Sequence, residues 1–431
     1  MARRLLYPFE PAGVLVVDVV FPRCAGLDIH RDTVVAAVRV QQRSGSAKVT
    51  VKTFATTGGA LGLLADWLAR NKVTIVGMES TGVYWKPVYY RLEDEVECWL
   101  LNAAHVRNVP GRKTDVADAV WLADLVAHGL VRASFVPPKP LRDLRDLTRA
   151  RRVLVEEKTR EVQRLDKLLQ DAGVKLTSVA SRLLGVSGRA IVEELIAGHG
   201  TPTELAELAR GRLRQKIPAL ADALAGRFRA HHHGFLAAHL LQRIDLCDEQ
   251  IDELDHRIEV MLTPFEQTLD RIMTITGVGK VTATVLIAEA GLDMNRFRTA
   301  GHLASWAGIC PGNHTSGGKS KSGRTRHGNK WLRTALTEAA HAAARSKNTY
   351  LASHHARIRG RRGALKAIGG TRHDILTAYW HIIKHNTVYH DLGGDWHTRR
   401  SRNPEHRKNT LITELHKLGY TVTATPTTQP T

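Results

Sequence analysis

The strongest constraint on the fold is the way the hydrophobic period switches between strand and helix from Cys24 to about Pro137. Alternating and β-branched runs predict strands over residues 25–30, 33–40, 49–54, 73–78 and 96–101. Apolar residues at helical spacing predict helices over residues 59–71, 84–95 and 114–128. Short polar turns join the first three strands, so we expect them to form an antiparallel meander. The predicted order is βββαβαβα, an α/β domain over residues 20–137.

Four acidic residues fall at specific points of these elements. Asp28 lies within the first strand, Glu79 follows the fourth, and Asp115 and Asp118 stand at i and i+3 in the first turn of the last helix. Each has an ordinary explanation, since helix starts favour negative charge and strand carboxylates are usually paired. Together, carboxylates converging at one sheet edge are able to hold two Mg²⁺ ions for phosphoryl transfer. The element order resembles that of ribonuclease-H-like nuclease domains.

Charge and cysteine content narrow the class of partner. The 431 residues include 62 Lys and Arg against 42 Asp and Glu, a net charge of +20. Such a charge on a chain that is 43% hydrophobic, and therefore folded, indicates a nucleic-acid partner. The four cysteines form no CxxC pair, which argues against a zinc ribbon or a disulfide framework. No stretch resembles a membrane span or signal peptide, so we expect a cytoplasmic protein, nucleoid-associated when active, without a membrane partner.

Residues 138–264 are helical and highly charged. An apolar stripe alternates steps of four and three and runs through Leu240, Ile244, Cys247, Ile251, Leu254, Ile258 and Met261. This spacing is typical of a coiled-coil seam. An intramolecular helical hairpin and an arm that joins two protomers both remain open.

Residues 265–390 are predicted to form a mostly α-helical C-terminal domain, followed by a basic, largely disordered tail over 391–431. Gly277 and Gly279 separate two helices, either as a helix-hairpin-helix whose glycines approach a DNA phosphate or as a plain tight turn. Ser316 is expected in a flexible basic loop. Judged from the residues alone, the loop binds a phosphate and the Ser316 hydroxyl only donates a hydrogen bond to it. The other expected nucleic-acid contacts are Lys113, Lys319, Lys321, Arg324, Arg326 and Lys330.

A family resemblance rests on two of these stretches. Asp28, Glu79-Ser-Thr-Gly82 and Lys113-Thr-Asp-Val-Ala-Asp-Ala119 resemble the DEDD signature of the insertion sequence 110 transposase family, which carries a RuvC-like domain. The resemblance implies that Asp28, Glu79, Asp115 and Asp118 are catalytic metal ligands. The loop around Ser316 is similar to the C-terminal transposase domain of the family, which makes Ser316 the DNA-attacking nucleophile, with Thr315 as its nearest rival.

The resemblance also implies a function and partners. These are Mg²⁺-dependent cleavage and exchange of donor and target DNA through a serine–DNA covalent intermediate, a dimer or tetramer, and guidance by a non-coding bridge RNA. Two alternatives stay open from the residues alone. One is a metal-dependent Holliday-junction-type nuclease that uses water as its nucleophile, and the other is a non-catalytic nucleic-acid scaffold.

Overall fold

The chain forms two compact units that divide between Val136 and Pro137. The computed structural model describes residues 18–80, 82–101, 115–311, 314–317, 319–322, 325, 328–399 and 404–425. For residues 115, 116, 314–316, 319–322, 398, 404, 406 and 407 it describes the backbone alone. Within these ranges no helix is both long and apolar enough to cross a membrane.

The first unit is built on a five-stranded mixed sheet with the strand order β3-β2-β1-β4-β5. The strands are β1 Arg23–Ile29, β2 Thr33–Gln41, β3 Ala47–Ala55, β4 Ile75–Glu79 and β5 Glu97–Leu101. The helices are α1 Gly58–Arg70, α2 Trp85–Leu92 and α3 Asp115–Ala127. The first three strands pair antiparallel, whereas β4 pairs parallel with both β1 and β5. The predicted order βββαβαβα and the antiparallel meander are therefore confirmed.

Alternate residues of β1 face opposite layers of this unit. Leu27 packs in a core with Leu64 of α1 and Val88 of α2. Gly26 faces the other way, where an added Cβ would lie 2.2 Å from the carbonyl oxygen of Ala119. Only glycine lets α3 approach the sheet this closely, so the backbone at Gly26 fixes where α3 lies.

The second unit is almost entirely helical. Its first half contains α4 Lys139–Asp171, α5 Leu176–Val179, α6 Val186–Ala197, α7 Pro202–Glu207, α8 Ile217–Leu224 and α9 Phe235–Leu262. Its second half contains α10 Glu266–Met273, α11 Lys280–Ala290, α12 Ala300–Trp306, α13 Lys330–Arg345, α14 Tyr350–Arg362 and α15 Ala364–His385. A two-stranded hairpin of β6 His314–Ser316 and β7 Lys319–Ser322 lies between α12 and α13.

The apolar stripe of α9 packs against α4 of the same chain. Ile244, Cys247 and Ile251 are buried in this contact, and ion pairs flank it, among them Arg151 Nη2 to Asp255 Oδ2 at 2.9 Å. Of the two predicted alternatives, the structure has the intramolecular helical hairpin. A coiled coil between protomers remains a prediction.

The C-terminal segment contains more regular structure than expected. Short helix α16 Trp396–Arg399 and the longer α17 Pro404–Lys417 lie within the predicted disordered tail. In α17, Leu411, Ile412 and Leu415 recur at helical spacing, which is the local pattern that favours a helix here. That the tail is largely disordered stays a prediction. The last residues, 426–431, lie outside the described part of the chain.

Candidate metal centre and nucleophile hairpin

Asp28 and Glu79 lie at the same level of two neighbouring parallel strands. The β1–β4 register ends at Leu27 opposite Met78, and Asp28 and Glu79 are the next residue on each strand. They share the sheet face of Gly26 and Gly77, where an added Cβ would meet residues of α3. Two acids expected at one edge of the sheet therefore do lie side by side, on the face that α3 covers.

The amino end of α3 points toward the same edge. Cys24 Sγ donates to the Ala123 carbonyl at 3.3 Å, whereas Val35, the β2 partner of Asp28, packs with Ala119 one turn earlier. The helix therefore runs antiparallel to β1, and its first turn is nearest the level of Asp28. That turn carries half-buried Asp118 and begins at Asp115, whose side chain lies outside the described residues.

The donor set suits a hard divalent cation, because all the acids offer carboxylate oxygens. Among the side chains that are described, however, no group of three or more His, Cys, Asp or Glu is arranged to hold a metal. The fourth acid, Asp115, is not in that set. The four-carboxylate metal centre therefore stays a prediction.

His30 is a site residue that the sequence analysis missed. Its Nε2 lies 3.2 Å from Oδ2 of Asp28, whose side chain is only 15% exposed. The available signal was the spacing, because residues two apart on a strand share a face. Two nearby acids have cationic partners of their own: Asp32 contacts Arg31, and Asp124 Oδ1 accepts from buried Arg39 at 2.7 Å.

Ser316 lies in a β-hairpin, not in the flexible loop that was expected. Its backbone pairs with Lys319 across the two strands, and Gly317 turns the chain with φ of 57°. The left-handed conformation favours glycine, so Gly317 directly after Ser316 is explained by hairpin geometry. The side chains of Ser316, Lys319 and Lys321 are outside the described part, as are Lys113, Arg324 and Arg326 entirely.

The base of this hairpin is closed by tight backbone contacts. Pro311 and Thr325 form an antiparallel bridge. At Gly328 an added Cβ would lie 2.2 Å from the Ala307 carbonyl oxygen, so the returning chain passes directly over the end of α12. Asn329 then caps α13 by accepting from the backbone N–H groups of Trp331 and Leu332 at 3.0 and 3.1 Å.

A fully buried carboxylate anchors that cap. Glu289 is 0% exposed and accepts two hydrogen bonds from Arg149, at 2.7 and 2.8 Å. It also accepts from Asn329 Nδ2 at 2.5 Å and pairs with Arg145 at 3.2 Å. Lys330 places its ammonium 4.5 Å from the Trp331 ring centroid. The network joins α4, α11 and the N-cap of α13. Sequence reasoning could not find it because its members are far apart in the chain.

The two glycines of the helix–turn–helix have different roles. At Gly277, φ is 84° and an added Cβ would lie 2.5 Å from the Ala343 backbone nitrogen of α13. At Gly279, which precedes α11, an added Cβ would meet nothing within 4 Å. At Gly277, α13 leaves no room for a side chain, so close packing alone explains this glycine, and its contact with a phosphate stays a prediction. Gly279 is open and remains a predicted contact.

Comparison with known proteins agrees with the order of these features. Residues 25–173 match the DEDD family of IS110 elements, described as "Transposase", and residues 269–356 match the family described as "Transposase IS116/IS110/IS902 family". The two matches together cover more than half of the chain. The chain belongs to the IS110 family of transposases. Transposases of this family cleave and recombine DNA, and the DEDD match indicates divalent metal ions.

Several relatives support the assignment. A probable family 20 transposase of Pseudomonas aeruginosa is 25% identical over 65% of this chain and 74% of its own length. An uncharacterized 43.6 kDa protein of insertion element IS110 from Streptomyces coelicolor is 29% identical over 65% of this chain and 73% of its own. A pilin gene-inverting protein of Moraxella bovis is 38% identical over 20% of this chain and 29% of its own.

Proposed function

We propose that this IS110-family transposase cleaves and rejoins DNA in a Mg²⁺-dependent reaction, with Ser316 as the nucleophile and Asp28, Glu79, Asp115 and Asp118 as metal ligands. The observation that carries the proposal is the placement of Asp28 and Glu79 side by side on parallel strands, with the first turn of α3 directed to the same edge. On this basis we assign the first unit to the RuvC-like, ribonuclease-H-like class.

The carboxylates have two tasks in this proposal. They bind the cation, and their total negative charge determines how much positive charge binds at the site. When bound, Mg²⁺ supplies positive charge to the oxygens of the scissile phosphate. The Asp28 side chain is only 15% exposed, so a cation beside its carboxylate offsets part of the cost of burying that charge. Asp124 is excluded as a ligand because Arg39 already neutralises it.

The serine step is independent of the family match, which names a carboxylate-type transposase and not a serine recombinase. Its support is the hairpin, which places Ser316 at a turn beside Lys319. In the proposed step Ser316 Oγ loses its proton and bonds to phosphorus. The bond from phosphorus to the 3′ oxygen breaks, the 3′ oxygen takes a proton, and a 5′-phosphoserine forms. If water attacks instead, the protein is a Holliday-junction-type nuclease and no adduct forms.

The partners are part of the proposal. The proposed partners are donor DNA, target DNA and a non-coding bridge RNA, and a net charge of +20 favours binding of all three polyanions. The inverting activity in the name of the Moraxella relative favours site-specific exchange of two DNA sites, which requires paired active sites and hence a dimer or tetramer. Sequencing of co-purified RNA and light scattering of the complex test these two partners separately.

The metal assignment is tested by Asp28→Asn, with Asp32→Asn as its matched control. Both changes remove one negative charge near the end of β1, but Asp32 is exposed and its ion pair in the described part of the chain is with Arg31. We expect Asp28→Asn to lower Mg²⁺-dependent strand cleavage about 100-fold or more, and Asp32→Asn to leave it unchanged. DNA binding should survive in both variants. Cleavage by Asp28→Asn at the wild-type rate would show that the wrong acids were chosen.

A further inference from the structure

A basic cleft lies between α14 and α15, next to the base of the Ser316 hairpin. Its volume is about 750 Å³, and its wall includes Pro311 and Thr325, the two residues that bridge the hairpin base. The opposite wall is formed by the two helices, which turn at Gly363. The cleft is therefore continuous with the segment that presents Ser316.

The lining of this cleft carries more positive than negative charge. Its lining contains the cations Arg361, Arg362, Lys366 and Arg372, against the single carboxylate of Asp374. That carboxylate already contacts His354 Nδ1 at 2.7 Å. In the described ranges none of the four cations forms an ion pair with an acid, whereas arginines of the helical hairpin do, as Arg151 does with Asp255. Within those ranges, the four positive charges are therefore not neutralised by the protein's own acids.

Arg372 is a cation of this lining whose hydrogen-bonding groups are not all satisfied within the described residues. Its side chain is half-buried, and its Nε is buried without a hydrogen-bond partner in the part of the chain that is described. Its Nη1 donates to Thr337 Oγ1 at 3.3 Å. Burial, and then the nearby charge of Arg333, lower the pKa of Arg372. A guanidinium held in this way is stabilised by an anion placed beside it.

Two consecutive glycines in the interior of α15 shape the cleft. An added Cβ at Gly370 would lie 2.7 Å from Ile358 Cδ1, so this glycine allows α14 and α15 to pack closely. At Gly369 an added Cβ would meet only Arg372 Nη2, at 3.9 Å, so this glycine leaves the floor of the cleft open. Glycine is unfavourable within a helix, so this pair is explained by the close approach of the Ile358 side chain at Gly370 and by the open floor of the cleft at Gly369.

We propose that this cleft binds the phosphodiester backbone of a nucleic-acid strand and holds it next to the Ser316 hairpin. Lys366 and Arg372 are six residues apart, about 9 Å along a helix, which suits a chain of phosphates better than a single phosphate group. Leu365, at 90% exposure, lies at the lip and offers apolar contact to a sugar or base. The proposal rests on the proposed function for its substrate class, and it adds cations of α14 and α15 to those expected in the hairpin.

The test is the salt dependence of binding, measured by fluorescence anisotropy with the full chain. The variant Arg361→Ala/Lys366→Ala is compared with Arg212→Ala/Arg214→Ala, which removes two exposed cations from the helical hairpin region. Each lost phosphate contact lowers the log–log slope by about 0.9 on duplex DNA and about 0.7 on single strands. We therefore expect the slope of the cleft variant to be smaller in magnitude by about 1.8 on duplex DNA, or by about 1.4 on single strands. The slope of the control should not change.

Separate arms with duplex DNA, single-stranded DNA and an RNA hairpin identify which backbone occupies the cleft. Arg372→Gln should weaken binding in the same arm, and Arg372→Lys, which keeps the charge, should retain most of it. Equal slopes for the cleft variant and the control in every arm would overturn the proposal. Strand cleavage by the wild type is measured in parallel. If cleavage is present and the slopes are equal, only the cleft proposal fails. If cleavage is absent, the proposed function fails, and the slope comparison still decides the cleft.

Discussion

At the scale of single residues, the buried Glu289 network is expected to have a large effect on stability. Removing its charge leaves Arg145 and Arg149 beside a neutral amide in a buried position. We expect Glu289→Gln to lower the free energy of unfolding by about 3 kcal/mol, because a broken buried pair leaves an uncompensated charge. Glu338→Gln, at an exposed pair with Arg152, should cost under about 1 kcal/mol. Chemical denaturation measures both, and equal midpoints would contradict the role of Glu289.

The pKa values of the two cysteine thiols in the first unit are also set by the local environment of each residue. Burial raises the pKa of Cys24 from 9.0 to about 11 and that of Cys98 to about 12. Because only the thiolate reacts, alkylation of native Cys24 at pH 8 should be about 100-fold slower than in the unfolded chain. The unfolded thiol ionises at lower pH, so the contribution of Cys24 to stability is complete below pH 9 and is lost as pH rises through about 11. Mass spectrometry after timed alkylation measures this, and rapid labelling of native Cys24 would contradict it.

At the scale of elements, the glycines of the α10–α11 turn separate a packing role from a binding role. We expect Gly277→Ala to lower the free energy of unfolding by about 2 kcal/mol or more, since its φ is 84° and α13 blocks the new methyl group. The new methyl group of Gly279→Ala meets no neighbouring atom. This variant should therefore keep nearly the same stability but bind DNA more weakly. Thermal unfolding and anisotropy on the two variants compare these effects. Equal stability loss in both would remove the distinction.

The elements that could be predicted from the sequence are those whose burial leaves a local pattern. The strands and helices of the first unit, with Asp28 and Glu79 at one edge, follow from periodicity alone. The Ser316 hairpin was not predicted, because β6 and β7 are polar, lack apolar alternation and are stabilised by contacts at Pro311 and Gly328. The Glu289 network and the cleft at Arg372 join helices far apart in sequence, so no local pattern indicates them.

At the scale of the whole molecule, regions of the chain differ in whether their cations are paired with acids. In the helical hairpin, α4 and α9 pair several of their cations with acids, as Lys158 does with Asp248. The cations around the cleft have no such partners among the described residues. The +20 charge in the sequence predicted a polyanion partner, but only the folded positions distinguish cations that stabilise helices from cations free to bind phosphates.

The most direct test of Mg²⁺-dependent cleavage through Ser316 is a denaturing gel of end-labelled DNA carrying an end of the insertion sequence. The wild type with Mg²⁺ and its co-purified RNA should shift the label into a protein-linked species that survives denaturant and disappears with protease. Ser316→Ala should abolish this species, and Thr315→Ala, the matched change one residue away, should retain it. A cleaved strand without any protein-linked label in the wild type, or an undiminished adduct in Ser316→Ala, would contradict the serine mechanism.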